Sequence, residues 1–353
     1  MGNCVFKLKR KKNQISSTLK SLNAKKKAFS MLKRPRRNRK TPAIRSLCQE
    51  TTLSPEDFIM PLFVLEGEKQ RKIDPSLPGL YKLSTDELLK EAEKLHRAGV
   101  PGVLLFPIED PKYKDLKGSR ALSKDSLIPK TVRLLKQEIP SLCVLCDVAL
   151  DPYTSHGHDG VLDENGYVAN DETVAILSEI SLLYAEAGAD LVAPSDMMDG
   201  RVCSIRRALD GKGFQDVGIL SYTAKYASSL YGPFRDAVGS ELKIGDKKSY
   251  QMDPRNVREA LREGRLDEEE GADILMVKPA LFYLDVISKM KENFEIPICA
   301  YHVSGEYAMI MAAAEKGYLN AEKALLEALI SIKRAGADFM VSYALPQILP
   351  HLS

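Results

Sequence analysis

The chain has 353 residues, 44% of them hydrophobic, and a formal net charge of +3. That length suits two ordinary domains or one α/β barrel. It holds no run of about eighteen apolar residues, so no transmembrane helix is expected, and no apolar signal core stands near its N-terminus. The charge is uneven: sixteen of the 51 Lys and Arg lie in residues 1–49, before the first carboxylate, Glu50, and the remainder carries 35 basic against 48 acidic side chains.

Residues 1–49 therefore read as a basic N-terminal extension, an arm that docks on acidic neighbours. Residues 1–30 are expected to be disordered, or not native if Met31 is the start. A targeting peptide is the alternative, although Lys is richer here than such peptides favour. The runs Lys7–Lys12 and Lys25–Lys27 suit a polyanion or a membrane surface, but neither partner explains anything in the rest of the chain, so neither nucleic acid nor membrane is expected. The six cysteines are scattered, and Cys143-Val144-Leu145-Cys146 lies inside an apolar run, which points to buried thiols rather than a metal or redox site. The cysteine pattern fits a reducing compartment, and the expected location is cytoplasmic, or plastid if the arm is a transit peptide.

Residues 50–353 read as one domain in which a helix ending at glycine is followed by a short apolar run. This happens at Gly99, Gly188, Gly271 and Gly336, where glycine supplies the left-handed helix cap. Continuous apolar runs suit parallel strands covered on both faces. Eight are expected: Phe58–Val64, Val103–Pro107, Leu142–Val148, Leu191–Pro194, Val217–Ser221, Ile274–Lys278, Pro297–Tyr301 and Phe339–Ser342. Helical periodicity covers Thr85–Ala98, Leu127–Glu138, Asp171–Ala187, Asp253–Glu270, Leu284–Asn293, Tyr307–Lys316 and Ala321–Ala335. This alternation predicts an α/β fold, a (β/α)8 TIM barrel, over a doubly wound sheet, because no glycine-rich phosphate fingerprint follows an early strand.

In such a barrel the chemistry collects where the strands end at their C-termini. Those ends carry Asp147 and Asp151, Ser195 and Asp196, Tyr222 and Lys225, Lys278, His302 and Ser304, and Ser342 and Tyr343. Lys278 ends an apolar run, where an ammonium is costly and a neutral, nucleophilic amine is one solution. Lys225 beside it would lower at least one of the two pKa values, although Ala224-Lys225-Tyr226-Ala227 by itself reads as a solvated helix. A lysine neutral near pH 7 attacks a ketone to form a Schiff base. No organic cofactor is expected to share that work. Asp147, Asp151 and Asp159 surround a glycine-containing loop whose hard oxygens suit Mg²⁺ or a monovalent ion rather than thiolate-bound zinc. His156 and His158 read as loop hydrogen-bonders, and the stretch to Asp171 reads as a lid. Arg235, in a turn after a helix, and Lys247 are either a carboxylate clamp or surface charge, and spacing does not choose between them. Glu263 reads as a solvated helix face.

Five ordered motifs, Arg34-Pro35-Arg36-Arg37, Pro194 to Arg201, Tyr231-Gly232-Pro233-Phe234-Arg235-Asp236, Met276-Val277-Lys278-Pro279 with Tyr283-Leu284-Asp285, and Tyr301 to Glu306, make the chain resemble the porphobilinogen synthase (5-aminolevulinate dehydratase) family. The resemblance implies a barrel with an arm that wraps a neighbouring subunit, commonly in a homo-octamer. It implies condensation of two 5-aminolevulinate molecules to porphobilinogen with loss of two waters. Lys278 and Lys225 would be the Schiff-base lysines, with Asp147, Asp151 and Asp159 moving protons or orienting an amine. Arg235, Lys247 and Gln251 would hold one substrate carboxylate, and Ser304 and Tyr343 the other. Ser195, Tyr231 and Phe234 would line the substrate site, and Glu263 would bind an allosteric Mg²⁺. Zinc-dependent members carry cysteines where this chain has Ala149, Asp151 and Asp159, so the expectation is the aspartate-rich, Mg²⁺-responsive branch without catalytic zinc. Lys247 stands where arginine is common and loses the bidentate fork. The rival enzyme reading is a class I aldolase with one Schiff-base lysine.

Overall fold

The computed structural model describes residues 33–243 and 245–352. The expectation about residues 1–30 lies outside them. Two compact units divide at Glu50 and Thr51. In the first, a short 3-10 turn, Pro35–Arg39, precedes the helix Pro42–Leu47, whose start is capped by Thr41: its hydroxyl accepts from the Ile44 N–H at 3.2 Å. No side chain of that helix is buried.

The second unit contains ten strands: β1 (Phe58–Leu65), β2 (Arg71–Ile73), β3 (Tyr81–Ser84), β4 (Gly102–Ile108), β5 (Cys143–Val148), β6 (Leu191–Pro194), β7 (Gly218–Lys225), β8 (Ile274–Lys278), β9 (Ile298–His302) and β10 (Phe339–Ser342). β1 and β4 to β10 run parallel and close through a β10–β1 pairing, which makes the (β/α)8 barrel. All eight residues of β1 are buried, as a strand covered on both faces requires. β3 joins β1 in parallel and β2 pairs antiparallel with β3, an excursion absent from the expected strands. β2 is exposed throughout and too short to show a period. The helix Arg201–Gly211 was likewise unanticipated.

The recurring glycine–alanine–aspartate junctions have a physical purpose. Gly188, Gly271 and Gly336 take φ of +103°, +102° and +121° and end their helices. The following aspartate then clamps the preceding strand: Asp190 Oδ2 accepts from Val144 N at 2.7 Å, Asp273 Oδ2 from Ile219 N at 2.7 Å, and Asp338 Oδ2 from Ile298 N at 2.7 Å. The backbone N–H of each aspartate returns a bond to the same residue's carbonyl. The end of the barrel opposite the expected site is thus tied strand to strand.

Three expectations need correction. The stretch Ala224-Lys225-Tyr226-Ala227 is not a helix: Ala224 and Lys225 end β7, and Tyr226 and Ala227 follow it outside any helix. Arg235 lies inside the short helix Gly232–Val238, not in a turn after one. The helix expected from Asp253 begins at Arg258, because the Asp253 carboxylate takes the Arg255 N–H at 2.9 Å and holds a turn.

Candidate active site

β7 reaches the rim by an irregular route. Ser221 pairs with Leu275 but Ala224 pairs with Val277, so one extra residue is inserted in β7. This bulge brings Lys225 level with Lys278 as a cross-strand partner. Neighbouring strands lie roughly 4.8 Å apart, and both lysines line one cavity at the C-terminal mouth of the barrel. The same cavity is lined by Asp147, Asp151, Asp159, Ser195, Arg235 and Gln251. Lys247, Tyr231 and Phe234 complete the residues anticipated there, and Phe106, from the end of β4, joins them without a sequence signal beyond an apolar run.

The two lysines sit in different surroundings. Lys225 forms an ion pair with Asp159 Oδ2 at 3.2 Å and donates to the Ser195 carbonyl. Lys278 has no carboxylate partner among the described residues. Its Nζ lies 4.4 Å from the Tyr301 ring centroid, 4.9 Å from Tyr222, 5.3 Å from Tyr231 and 5.4 Å from Phe234. Burial, then repulsion from Lys225, lowers the Lys278 ammonium to about 7 against the pull of Asp147, Asp151 and Asp159. An amine of that kind is substantially neutral at physiological pH and nucleophilic.

The carboxylates divide as well. Burial alone would raise Asp159, yet Lys225 and Lys247 hold it well below the usual carboxylate range. Lys247 Nζ sits 2.5 Å from Asp159 Oδ1 and 3.7 Å from Asp151 Oδ2. Burial pushes Asp147 up to about 7 despite Lys278 and Lys225, and its Oδ1 has no hydrogen-bond partner. The mouth therefore offers a neutral amine, a fixed anion and a carboxyl able to gain or lose a proton near neutrality.

Other anticipated residues are placed differently. Ser304 accepts from the Phe234 N–H at 3.1 Å, and Tyr343 shares a 2.9 Å hydrogen bond with Tyr301; neither lines the cavity. His302 pairs with Ser342 at 3.0 Å across β9 and β10, and burial lowers its imidazole to about 4. His156 contacts the Leu116 carbonyl and His158 the Tyr250 hydroxyl, as loop hydrogen-bonders do. In the stretch read as a lid every residue is buried from Leu150 to Thr154 and from His156 to Val161, while residues 163–167 are exposed. Glu263 lies in a separate cavity of about 480 Å³ with Asp199 and Glu259; Gln251 lines both cavities. Cys146 is buried in β5, and Cys143 is partly buried there, with burial pushing its thiol up to about 12.

Comparison with known proteins places this geometry. The family model described as delta-aminolevulinic acid dehydratase matches residues 32–350. A delta-aminolevulinic acid dehydratase of Chlamydia pneumoniae is 53% identical over 322 residues, 91% of this chain and 97% of that one. A chloroplastic relative of the same name from Physcomitrium patens is 55% identical over 311 residues, 88% of this chain and 72% of that one. A crystal structure of delta-aminolevulinic acid dehydratase (porphobilinogen synthase) from Toxoplasma gondii, in complex with the reaction product porphobilinogen, superposes with a TM-score of 0.89 at 49% identity, covering 91% of this chain and 92% of that one. With its paired lysines on a closed barrel and a match along nearly its whole length, the chain belongs to the delta-aminolevulinic acid dehydratase family.

Proposed function

We propose that this enzyme condenses two 5-aminolevulinate molecules to porphobilinogen, as a lyase of tetrapyrrole biosynthesis. The observation that carries the reading is the register pairing of Lys225 with Lys278 at the rim of one cavity. The Lys278 amine attacks the ketone carbon of one substrate; the carbinolamine loses water and leaves an imine on Nζ. The iminium withdraws electrons and makes the adjacent carbon acidic. Lys225 engages the second ketone, and Asp147 donates and recovers the protons that accompany the loss of water. Arg235, with Lys247 and Gln251, takes one substrate carboxylate. Lys247 must then share its ammonium between that carboxylate and Asp159. Ser304 and Tyr343 take the other carboxylate only after exchanging their present partners.

The metal readings follow from donor chemistry. Among the described residues no cysteine or histidine lines the cavity, so catalytic zinc is not proposed. A monovalent cation does not fit either: Asp159 and Asp151 already face lysine ammonium groups, and Asp147 alone does not make a cage. Glu263 fits Mg²⁺ better. Burial, then Asp267, raises its carboxyl, with Asp199 and Glu259 adding to the repulsion that a divalent ion would relieve. Among the described residues no three side chains form a ready metal cluster, so water would complete the shell. The proposed assembly is a homo-octamer built through the N-terminal arm, residues 1–49. No helix of the described residues is long and apolar enough to cross a membrane; the proposed location is cytoplasmic, with a plastid as the alternative if residues 1–49 direct import.

Borohydride reduction in the presence of 5-aminolevulinate, followed by peptide mapping, tests the reading. A reduced adduct on Lys278 is expected. Lys225→Ala should still trap at Lys278 while turnover falls by at least about a thousandfold, the scale of losing a reacting group. Full turnover in that variant favours a single-lysine aldolase mechanism, and no adduct on Lys278 removes the proposal.

A further inference from the structure

Glu306 is a fully buried carboxyl group with no ion pair among the described residues, and burial pushes it up to about 7 against the pull of the backbone N–H groups around it. Buried charges are normally paired with cations, so its surroundings call for an explanation. Its partners are backbone N–H groups. Leu281 N donates to Oε1 at 2.6 Å and Val303 N to Oε2 at 2.8 Å, and the N–H groups of Ala280 and Phe282 face the same carboxylate.

These donors belong to two segments. Residues 280–282 leave the barrel immediately after Lys278, where the strand ladder has ended and their N–H groups need other acceptors. Val303 precedes the helix Ser304–Glu315, in whose first turn Glu306 lies, so the helix start also favours the negative charge. The residues beside Glu306 hold a third segment. Ser304 accepts from Phe234 N at 3.1 Å and donates to the Leu230 carbonyl at 3.3 Å. Gly305 lets the helix approach so closely that a Cβ there would stand 2.5 Å from the Leu230 carbonyl oxygen. Tyr231, on that third segment, donates its hydroxyl to the Lys278 carbonyl at 3.1 Å, and Tyr226 N donates to the same oxygen at 2.9 Å.

We infer that Glu306 is a positioning residue for Lys278: by gathering the N–H groups that follow the lysine onto a rigid helix start, it fixes where the amine meets the ketone. The carbonyl of Lys278 is held by Tyr226 and Tyr231, and the residues after it by Glu306, so the main chain is fixed on both sides of the nucleophile. No amide of similar length offers two oxygen acceptors to a row of donors. Glu306→Gln replaces one acceptor with an NH2 group pointing at N–H donors. Displacing a reacting atom by an ångström can cost about a hundredfold in rate.

The inference rests on Lys278 forming the imine, and the experiment separates the two claims. The rate of borohydride-trapped adduct formation on Lys278 with 5-aminolevulinate is measured in the full-length protein, Glu306→Gln, Glu306→Asp and Asp338→Ala, with kcat, KM and Tm for each. Asp338 clamps Ile298 at the opposite end of the barrel and serves as the control for lost stability. Expected is at least a tenfold slower adduct and a parallel fall in kcat for Glu306→Gln, with KM within about threefold. Glu306→Asp, which keeps the charge, should recover part of the loss and remains informative if the glutamine variant does not fold. Asp338→Ala should lower Tm yet trap within twofold of the unsubstituted protein. Unchanged trapping in the Glu306 variants, or trapping that falls equally in Asp338→Ala for the same loss of Tm, overturns the inference. An unsubstituted protein that forms no adduct on Lys278 overturns the catalytic reading and this inference with it.

Discussion

Lys278 and Lys225 share a rim but not an environment, and under the proposed chemistry that difference would set which amine reacts in which state. Lys278 faces four aromatic rings and Lys225 faces Asp159. Burial and the neighbouring ammonium lower Lys278 to about 7, so its neutral fraction grows as pH rises through that value and saturates above it. The rate of adduct trapping on Lys278 should rise with pH about a midpoint near 7 and then level off. Asp159 favours the ammonium form of Lys278 by its charge, so Asp159→Asn should move the midpoint to lower pH. The same substitution leaves Lys225 and Lys247 as buried cations without their shared anion, a loss of about 3–5 kcal/mol in stability. The measurements are a pH series of trapping and a urea unfolding curve. A midpoint that stays in place or rises in Asp159→Asn would show that the carboxylate does not act on Lys278 electrostatically.

At the scale of elements, the barrel was legible because its strands are continuous apolar runs punctuated by glycine. The eight expected strands occupy their expected places, each edge within a few residues except the fifth. That strand was cut short at Ser221 because the bulge after it breaks the pattern, and Tyr222-Thr223-Ala224-Lys225 then carries polar groups that a buried strand rarely has. The inserted residue is also what sets Lys225 against Lys278, so the least legible part of the strand is the part that lines the candidate site. Ser304 and Glu263 were assigned by resemblance, and their present partners depend on contacts between distant segments that no local spacing records. The aspartate clamps at the other end were visible only as a repeated tripeptide. Asp338 ties β10 to β9 through Ile298 and also pairs with Lys291 at 2.7 Å. Asp338→Ala leaves the Ile298 N–H without its carboxylate acceptor and should cost about 1–3 kcal/mol. Thermal unfolding should register that loss while kcat stays within twofold, because the clamp lies at the end of the barrel remote from the lysines.

For the whole molecule the dominant physical fact is the separation of charge. Residues 1–49 carry sixteen cations and no carboxylate, and the remaining residues carry 35 basic against 48 acidic side chains. In the described part of the first unit, no side chain of the helix Pro42–Leu47 is buried. A segment so short and so charged does not bury enough apolar surface to be stable alone. Under the assembly proposed above, attraction between the basic segment of one copy and the acidic barrel of another would supply what it lacks. Such attraction weakens as the screening length shrinks from about 10 Å at 0.1 M salt to about 3 Å at 1 M. Light scattering on the eluting protein should therefore find a large oligomer at 0.1 M salt and smaller species at 1 M. Removing residues 1–49 should give the small species at both concentrations. An oligomer indifferent both to salt and to the truncation would assign assembly to the barrel surface and leave the basic segment to another task.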